Sequence, residues 1–331
     1  MLTKLKTAVF VSVLCTFAQP ALAIDVERNE VRQFIDTMVE KHGYDRDALV
    51  SALHDAKSQE GILTAISRPA EKTLTWHEYR NIFLTEERIN AGVDFWRQHK
   101  KDLRRISEQT GVSCEILVGI IGVETYFGRI TGKYRVLDAL ATLAFDYPPR
   151  SKFFMRELEE FLLLVREEGM DAADATGSYA GAMGAPQFMP SSFRAYAVDS
   201  NDDGKRDIWS DWQDVIGSVA NYFVAHGWNR EASVVAQANL GDTWEGEVPA
   251  NTLTPSETVD SLSQKGVLFS ASLPGDHKSQ LLTLQGKDGD EHWVGFHNFF
   301  VITRYNRSVM YALAVHQLGQ EIASKVQSSA S

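Results

Sequence analysis

Apolar and polar residues alternate at helical spacing over most of the chain. From residue 25 to about residue 110 the apolar positions recur every three or four residues, as in Val31, Phe34, Ile35 and Met38. Gly43 and Arg68-Pro69 interrupt that pattern. The stretch TEERINAGVDFWRQHKKDLRRISEQTG predicts one long helix, from a cap at Thr85 to Gly111. Eight residues without a polar side chain follow, Ile116 to Val123, and they end on Glu124-Thr125-Tyr126-Phe127. Ser113 is the candidate cap of this apolar helix, with Glu115 in its first turn. SKFFMRELEEFLLLVREEG predicts a helix from a Ser151 cap to Gly169, with Phe154, Leu158, Phe161, Leu162 and Val165 on one packing face. DWQDVIGSVANYFVAHG predicts another capped helix, ending at Gly227. The period changes between about residues 235 and 300. SQLLTLQGKDGDEHWVGF reads as a hairpin turning at Gly286 to Asp290, and a short helix, PSETVDSLSQKG, precedes it. Helical spacing returns from about Arg307 in MYALAVHQLGQEIASK. The fold class is mainly α (α+β), helices interrupted by a small β-containing insert.

Composition adds limits to this picture. The 331 residues are 44% hydrophobic, as in ordinary globular proteins, and are too many for one core, so two or three subdomains are expected. The net charge of −11, with no basic run to follow phosphates, makes nucleic acid an improbable partner. Residues 1–23 read as a secretory leader: Lys4 and Lys6, an apolar core from Ala8 to Phe17, then Ala21-Leu22-Ala23 as a cleavage site. That core is shorter than the roughly 20 residues a spanning helix needs. The expected location is the periplasm. A lipid anchor on Cys15 is not expected, because Ser12-Val13-Leu14 lacks the small residue usual before a lipidated cysteine. Cys114 is then the only cysteine left. It forms no intrachain disulfide and reads as a small buried hydrophobe.

Glu124 carries the candidate chemistry. At the C-terminal end of an apolar helix, its charged form is disfavoured by apolar surroundings and by the negative end of the helix dipole. No Lys or Arg follows it in sequence until Arg129. A carboxyl kept protonated near neutral pH is what a general acid requires. Gly119 and Gly122 let some other element approach this helix closely. Tyr126 and Phe127 suit either a sugar ring or the core. A structural ion pair, or simple exposure at the helix end, accounts for the glutamate equally well on this stretch alone.

Several longer blocks resemble one family. VGIIGVETYFGR, LDALATLAFDYPPR, GSYAGAMGAPQFMPSSF, DIWSDWQDVIGSVANYF and ITRYNRS, with the weaker WHEYRNIF, are similar in order and content to the lytic transglycosylase B family, glycoside hydrolase family 103. The resemblance implies a lysozyme-like core with a deep saccharide groove. It implies cleavage of the β-1,4 bond between N-acetylmuramic acid and N-acetylglucosamine of peptidoglycan without water, the muramyl C6 hydroxyl closing a 1,6-anhydro ring. By motif, Glu124 is then the single acid and base. Ser178, Gln187, Tyr305 and Asn306 become saccharide-binding residues, with Tyr311 and Tyr79 as further lining and Arg150 as a basic contact. Pro149 stands where the family carries a second arginine, and Ala185-Pro186 departs from its glycine-rich block. Asp138, a candidate helix cap, and Asp146, a candidate cap or turn residue, stay open as a second carboxylate. Hydrolysis by a muramidase, or glycan or calcium binding without catalysis, are the alternative functions.

The loop DSNDDGKRDIWSD begins like an EF-hand. Asp199, Asn201 and Asp203 alternate before Gly204, Lys205 offers a carbonyl, and Asp207 completes the set. Ser210 stands where a bidentate glutamate belongs, with Asp211 one residue late. The loop reads as a weak structural calcium site or as an Asx-rich turn capping the next helix. No organic cofactor is expected. The expected partners are peptidoglycan glycan strands and other cell-wall enzymes, the protein itself being a monomer. The expected organisation is a leader at 1–23 and a helical α domain at 24–111 completed by 307–331. A catalytic core follows at 112–234 with the loop at 199–211, then a β-containing domain at 235–306.

Overall fold

The computed structural model describes residues 22–67, 74–230, 232–245 and 247–329. The expected leader up to Ala21, and the break at Arg68-Pro69, lie outside them. Fourteen α-helices occur among the described residues. They are α1 Asn29–His42, α2 Arg46–Asp55, α3 Glu60–Ile66, α4 Trp76–Phe83, α5 Glu86–Gln98, α6 Lys100–Thr110, α7 Cys114–Thr125, α8 Val136–Asp146, α9 Ser151–Glu168, α10 Pro190–Tyr196, α11 Trp212–Ala225, α12 Val259–Gln264, α13 His297–Tyr305 and α14 Val309–Ser328.

The apolar run forms α7, buried on every side from Ile116 to Val123. A helix apolar all round needs neighbours all round, and α5, α6, α11 and above all α14 supply them. Gly119 and Gly319 make the α7–α14 crossing close. A Cβ on Gly119 would lie 2.4 Å from the Val315 carbonyl oxygen, and one on Gly319 would lie 2.1 Å from that of Glu115. The last helix therefore lies directly on the run that ends in Glu124.

Four local expectations are corrected. The helix predicted from Thr85 to Gly111 is two helices, α5 and α6, meeting at His99. Thr85 caps the first as expected, accepting from Arg88 N. The break lets α5 bury its face against α7 and α14 while α6 turns Leu103 and Ile106 toward α7 and α11. Ser151 does not cap α9: the one-turn helix Pro148–Arg150 feeds straight into it, and the Ser151 hydroxyl donates to Ala144 O at 2.5 Å. Ser113 holds the cap position of α7 but makes no side-chain capping bond. Asp138 lies inside the first turn of α8 rather than before it, and Asp146 is its last residue.

The insert is a five-stranded antiparallel sheet in the order Glu257–Thr258, Lys278–Gln285, Asp290–Gly295, Val235–Leu240, Val267–Phe269. The expected hairpin turns from Gly286 to Gly289, closed by Gly286 N–H donating to Gly289 O at 2.9 Å. Ala238, Leu262, Val267, Leu281, Val294 and Phe296 form a small core of their own. Leu282 and Leu284 face the large helical core instead. The sheet thus has two buried sides, one turned to its own helix and one to the body. No single helix among the described residues is long and apolar enough to cross a membrane.

Candidate active site

Glu124 is the penultimate residue of α7 and is half-buried. What ends the helix is a left-handed turn of three residues, Tyr126 (φ 52°), Phe127 (φ 58°) and Gly128 (φ 79°). Two successive non-glycine residues in this region are strained, a feature that gathers at functional sites. The strain is held by neighbours. Thr125, fully buried, donates its hydroxyl to Ala185 O at 2.9 Å and accepts from Gly128 N at 3.1 Å. Phe127 stacks on Phe95 at 5.3 Å. Arg88, from α5, donates to Gly122 O at 3.2 Å and lies 4.7 Å from the Tyr126 ring, with the Arg129 guanidinium 4.9 Å from the same ring. Sequence order hid Arg88, 36 positions before the glutamate, and burial lowers its pKa.

Tyr311, at the start of α14 and only 2% exposed, donates its hydroxyl to Glu124 Oε1 at 2.5 Å. Burial, and then the charge of Glu124, push the Tyr311 phenol well above its ordinary pKa, so it stays a donor. Tyr305 is raised in the same way and donates to Pro186 O at 2.6 Å.

Glu124 opens into a cleft of about 560 Å³ lined also by Arg129, Lys133, Ser178, Tyr179 and Gln187. Of the residues singled out in the sequence, Glu124, Ser178 and Gln187 line this space. Ser178 Oγ accepts from Ala180 N and Ala182 N. Gln187, itself at φ 53°, donates to Thr131 O at 3.0 Å and Gly184 O at 2.9 Å. Tyr305 and Asn306 close α13, while Tyr311 lies beneath Glu124. Tyr79 is buried at 4% exposure against Phe83 and lies near enough to Tyr311 to help raise its phenol pKa, and Arg150 folds over Phe153 at 4.4 Å on an exposed turn. Sequence reasoning missed the wall 129–134 and Tyr179. The signal there is exposed apolar surface, since Ile130 is 63% and Tyr179 37% exposed beside the glutamate.

Asp138 and Asp146 are engaged elsewhere. Asp138, buried, accepts from Lys57 N and Gln59 Nε2. Asp146 accepts from Arg28 and from the Ser58 hydroxyl at 2.6 Å. Both fasten the N-terminal segment to α8.

In the acidic loop, Asp199 accepts from Asp203 N and Gly204 N, Asn201 Oδ1 also from Asp203 N, and Asp203 from Lys205 N. Asp202 (φ 60°) and Gly204 (φ 88°) make the sharp bend. Asp207 is drawn off: its oxygens take the Trp209 and Ser210 N–H groups and the Ser210 hydroxyl. No cluster of three or more His, Cys, Asp or Glu poised to hold a metal ion occurs among the described residues. The remaining oxygens, two carboxylates, an amide and the Lys205 carbonyl, suit a hard cation held weakly.

A mainly helical body that sets one half-buried carboxyl at a helix end, facing a groove with exposed rings and aliphatics, defines a lysozyme-like enzyme acting on glycans. The chain belongs to the transglycosylase SLT domain family, whose model matches residues 27–320. It is 44% identical over 303 residues to membrane-bound lytic murein transglycosylase B of Escherichia coli (strain K12), covering 88% of this chain and 82% of that protein. It superposes on the catenated lytic transglycosylase SltB1 of Pseudomonas aeruginosa with a TM-score of 0.86 at 50% identity, over 90% of this chain and 98% of the other. The Escherichia coli lytic transglycosylase Slt35 in complex with calcium matches with a TM-score of 0.82 at 42% identity, over 92% and 96% of the two chains. The protein is a peptidoglycan lytic transglycosylase.

Proposed function

We propose that Glu124 alone carries the proton transfers of a non-hydrolytic cleavage between N-acetylmuramic acid and N-acetylglucosamine. The observation that supports this reading is that Glu124 is the single carboxyl among the residues lining the cleft, Asp138 and Asp146 being bound into the N-terminal contacts. The Glu124 carboxyl gives its proton to the glycosidic oxygen as the bond from C1 breaks. The carboxylate then takes the proton of the muramyl C6 hydroxyl as O6 bonds to C1. Acid becomes base with no water consumed, and the product ends in a 1,6-anhydro ring. Tyr311 fixes one oxygen of the carboxyl through its hydrogen bond, and geometry of this kind is what makes positioned acid–base catalysis effective. Ser178, Gln187, Tyr179 and Ile130 hold the sugars, with Tyr305 and Asn306 as further contacts by motif.

Mass analysis of products from purified peptidoglycan tests the mechanism. Anhydro ends, lighter than reducing ends by one water, are expected; reducing ends alone would make the enzyme a muramidase. The Glu124→Gln protein is expected to lose about 10²–10⁴-fold in kcat with its melting temperature unchanged. Anhydro products formed by it at the normal rate would sink the assignment. Asp199, Asn201, Asp203 and the Lys205 carbonyl would hold a calcium ion, which when bound supplies charge that tightens the entry to α11. Function in the periplasm follows from the leader pattern at 1–23.

A further inference from the structure

Thr125, the residue after Glu124, closes α7 with no exposed surface. A threonine in a helix ordinarily returns its hydroxyl proton to the carbonyl four residues back. Here that carbonyl, Ile121 O, already accepts from Phe127 N at 3.2 Å and lies 3.5 Å from Oγ1. The hydroxyl donates instead to Ala185 O at 2.9 Å, 60 positions away in sequence. The same oxygen accepts from Gly128 N at 3.1 Å. One buried hydroxyl thus holds the left-handed turn after Glu124 with its acceptor side. With its proton it reaches the loop of small residues before α10, which carries Ser178 and Gln187.

Ala185 is a fixed point of that loop. It is fully buried, its N–H donates to Ile208 O at 2.9 Å, and the next carbonyl, Pro186 O, accepts from the Tyr305 hydroxyl at 2.6 Å. Gln187 then returns to the segment after α7, its Nε2 donating to Thr131 O at 3.0 Å. The segment after Glu124 and the loop facing it are therefore joined twice, in the interior by Thr125 and at the cleft by Gln187. A sugar can compete for the amide of Gln187. It cannot reach the Thr125 hydroxyl, which is sealed from solvent. The interior bond is the one that holds the two walls at a constant separation while substrate comes and goes.

We propose that Thr125 is a positioning residue for the reaction: through Ala185 it sets the distance between the Glu124 carboxyl and the sugar held by the facing loop. This role rests on Glu124 being the acid and base. A threonine that served packing alone would be needed for its shape, whereas positioning needs its hydroxyl. The two roles predict opposite orders among variants. Valine keeps the shape and leaves Ala185 O and Gly128 N without that partner, while serine keeps the hydroxyl and loses a methyl group.

Steady-state kinetics on purified glycan strands, run well below the melting temperature of each full-chain variant, separate them. Thr125→Val is expected to lose about 10-fold to 100-fold in kcat, the scale of a displacement of about 1 Å in the reacting geometry, with KM changed by less than about threefold. Thr125→Ser is expected to keep kcat within about threefold of the wild type, and Thr125→Cys, whose thiol is a weak donor and acceptor, to fall between the two. In the Glu124→Gln protein, Thr125→Val is expected to change the residual rate by less than about twofold, because no acid is left to position. A fully active valine variant, a serine variant as impaired as valine, or a second full loss in the Glu124→Gln background would each overturn the proposal. If the valine variant does not fold, the other two decide, and a cysteine variant as active as serine overturns it. Wild-type activity in Glu124→Gln would remove the catalytic reading itself. An inactive Glu124→Gln beside a fully active Thr125→Val would remove only the positioning role.

Discussion

At the scale of single residues, the pair Glu124–Tyr311 decides most. The tyrosine is buried and held protonated, so its hydroxyl donates to the carboxyl throughout. Tyr311→Phe is therefore expected to lower kcat about tenfold, the loss of one hydrogen bond to a charged group, with KM little changed in steady-state assays on glycan strands. A KM effect alone would show that Tyr311 lines the substrate site and does not position the acid. A second buried group answers to pH. Burial lowers the pKa of His316 from 6.5 to about 4, and its Nδ1 has no partner. Below pH 6.5 the unfolded chain takes up a proton that the folded chain refuses until about pH 4. Stability from this group is thus complete above pH 6.5 and lost as pH falls toward 4, by up to about 3 kcal/mol. Urea melts of the wild type between pH 7 and 4 should show that loss, and His316→Leu should flatten it. Glu124 was readable as a candidate because a lone acid closing an apolar run is unusual. Tyr311 was readable beside it only through the family resemblance, and Arg88 at the end of α7 not at all, since only packing brings residues 88, 122 and 311 to that helix end.

At the scale of elements, α7 and α14 meet through backbone rather than side chains. Gly119→Ala would put a methyl 2.4 Å from the Val315 carbonyl. Neither backbone can yield cheaply, so a loss of about 1–3 kcal/mol is expected from denaturant midpoints. Activity should fall further than stability, because the helix pushed aside carries Tyr311. Equal losses in both would mean the crossing serves the fold only. The unbroken apolar run announced a buried helix, and the glycines announced a close approach. Which element approaches cannot be read from spacing 200 residues apart. The same limit applies to the α5–α6 break: helical propensity continues through RQHKKD, and only the different burial partners on each side of His99 divide it. The left-handed turn at Tyr126-Phe127 is equally silent in sequence, since neither residue type favours it.

For the whole molecule, two separate stretches close around one groove, the wall after α7 and the small-residue loop before α10, and the end of α13 braces that loop through the Tyr305 hydroxyl on Pro186 O. The acidic loop leads from α10 into α11, and its end is tied to that small-residue loop by Ala185 N–H donating to Ile208 O at 2.9 Å. Calcium in excess by about a hundredfold over its dissociation constant is expected to raise the melting temperature by about 4 °C, and Asp203→Ala should abolish the rise in scanning calorimetry. No rise in the wild type would leave the loop as a turn held by its own amides. The net charge of −11 argues against long-range attraction to an anionic wall, so capture depends on contact within the groove. The glycine crossing carries one more consequence. It works as a key and slot: because each residue advances a helix by about 100°, deleting any one residue between Gly119 and Glu124 would leave the notch engaged while rotating the carboxyl out of the cleft. The number of residues in that span, more than their identity, sets where the proton is delivered.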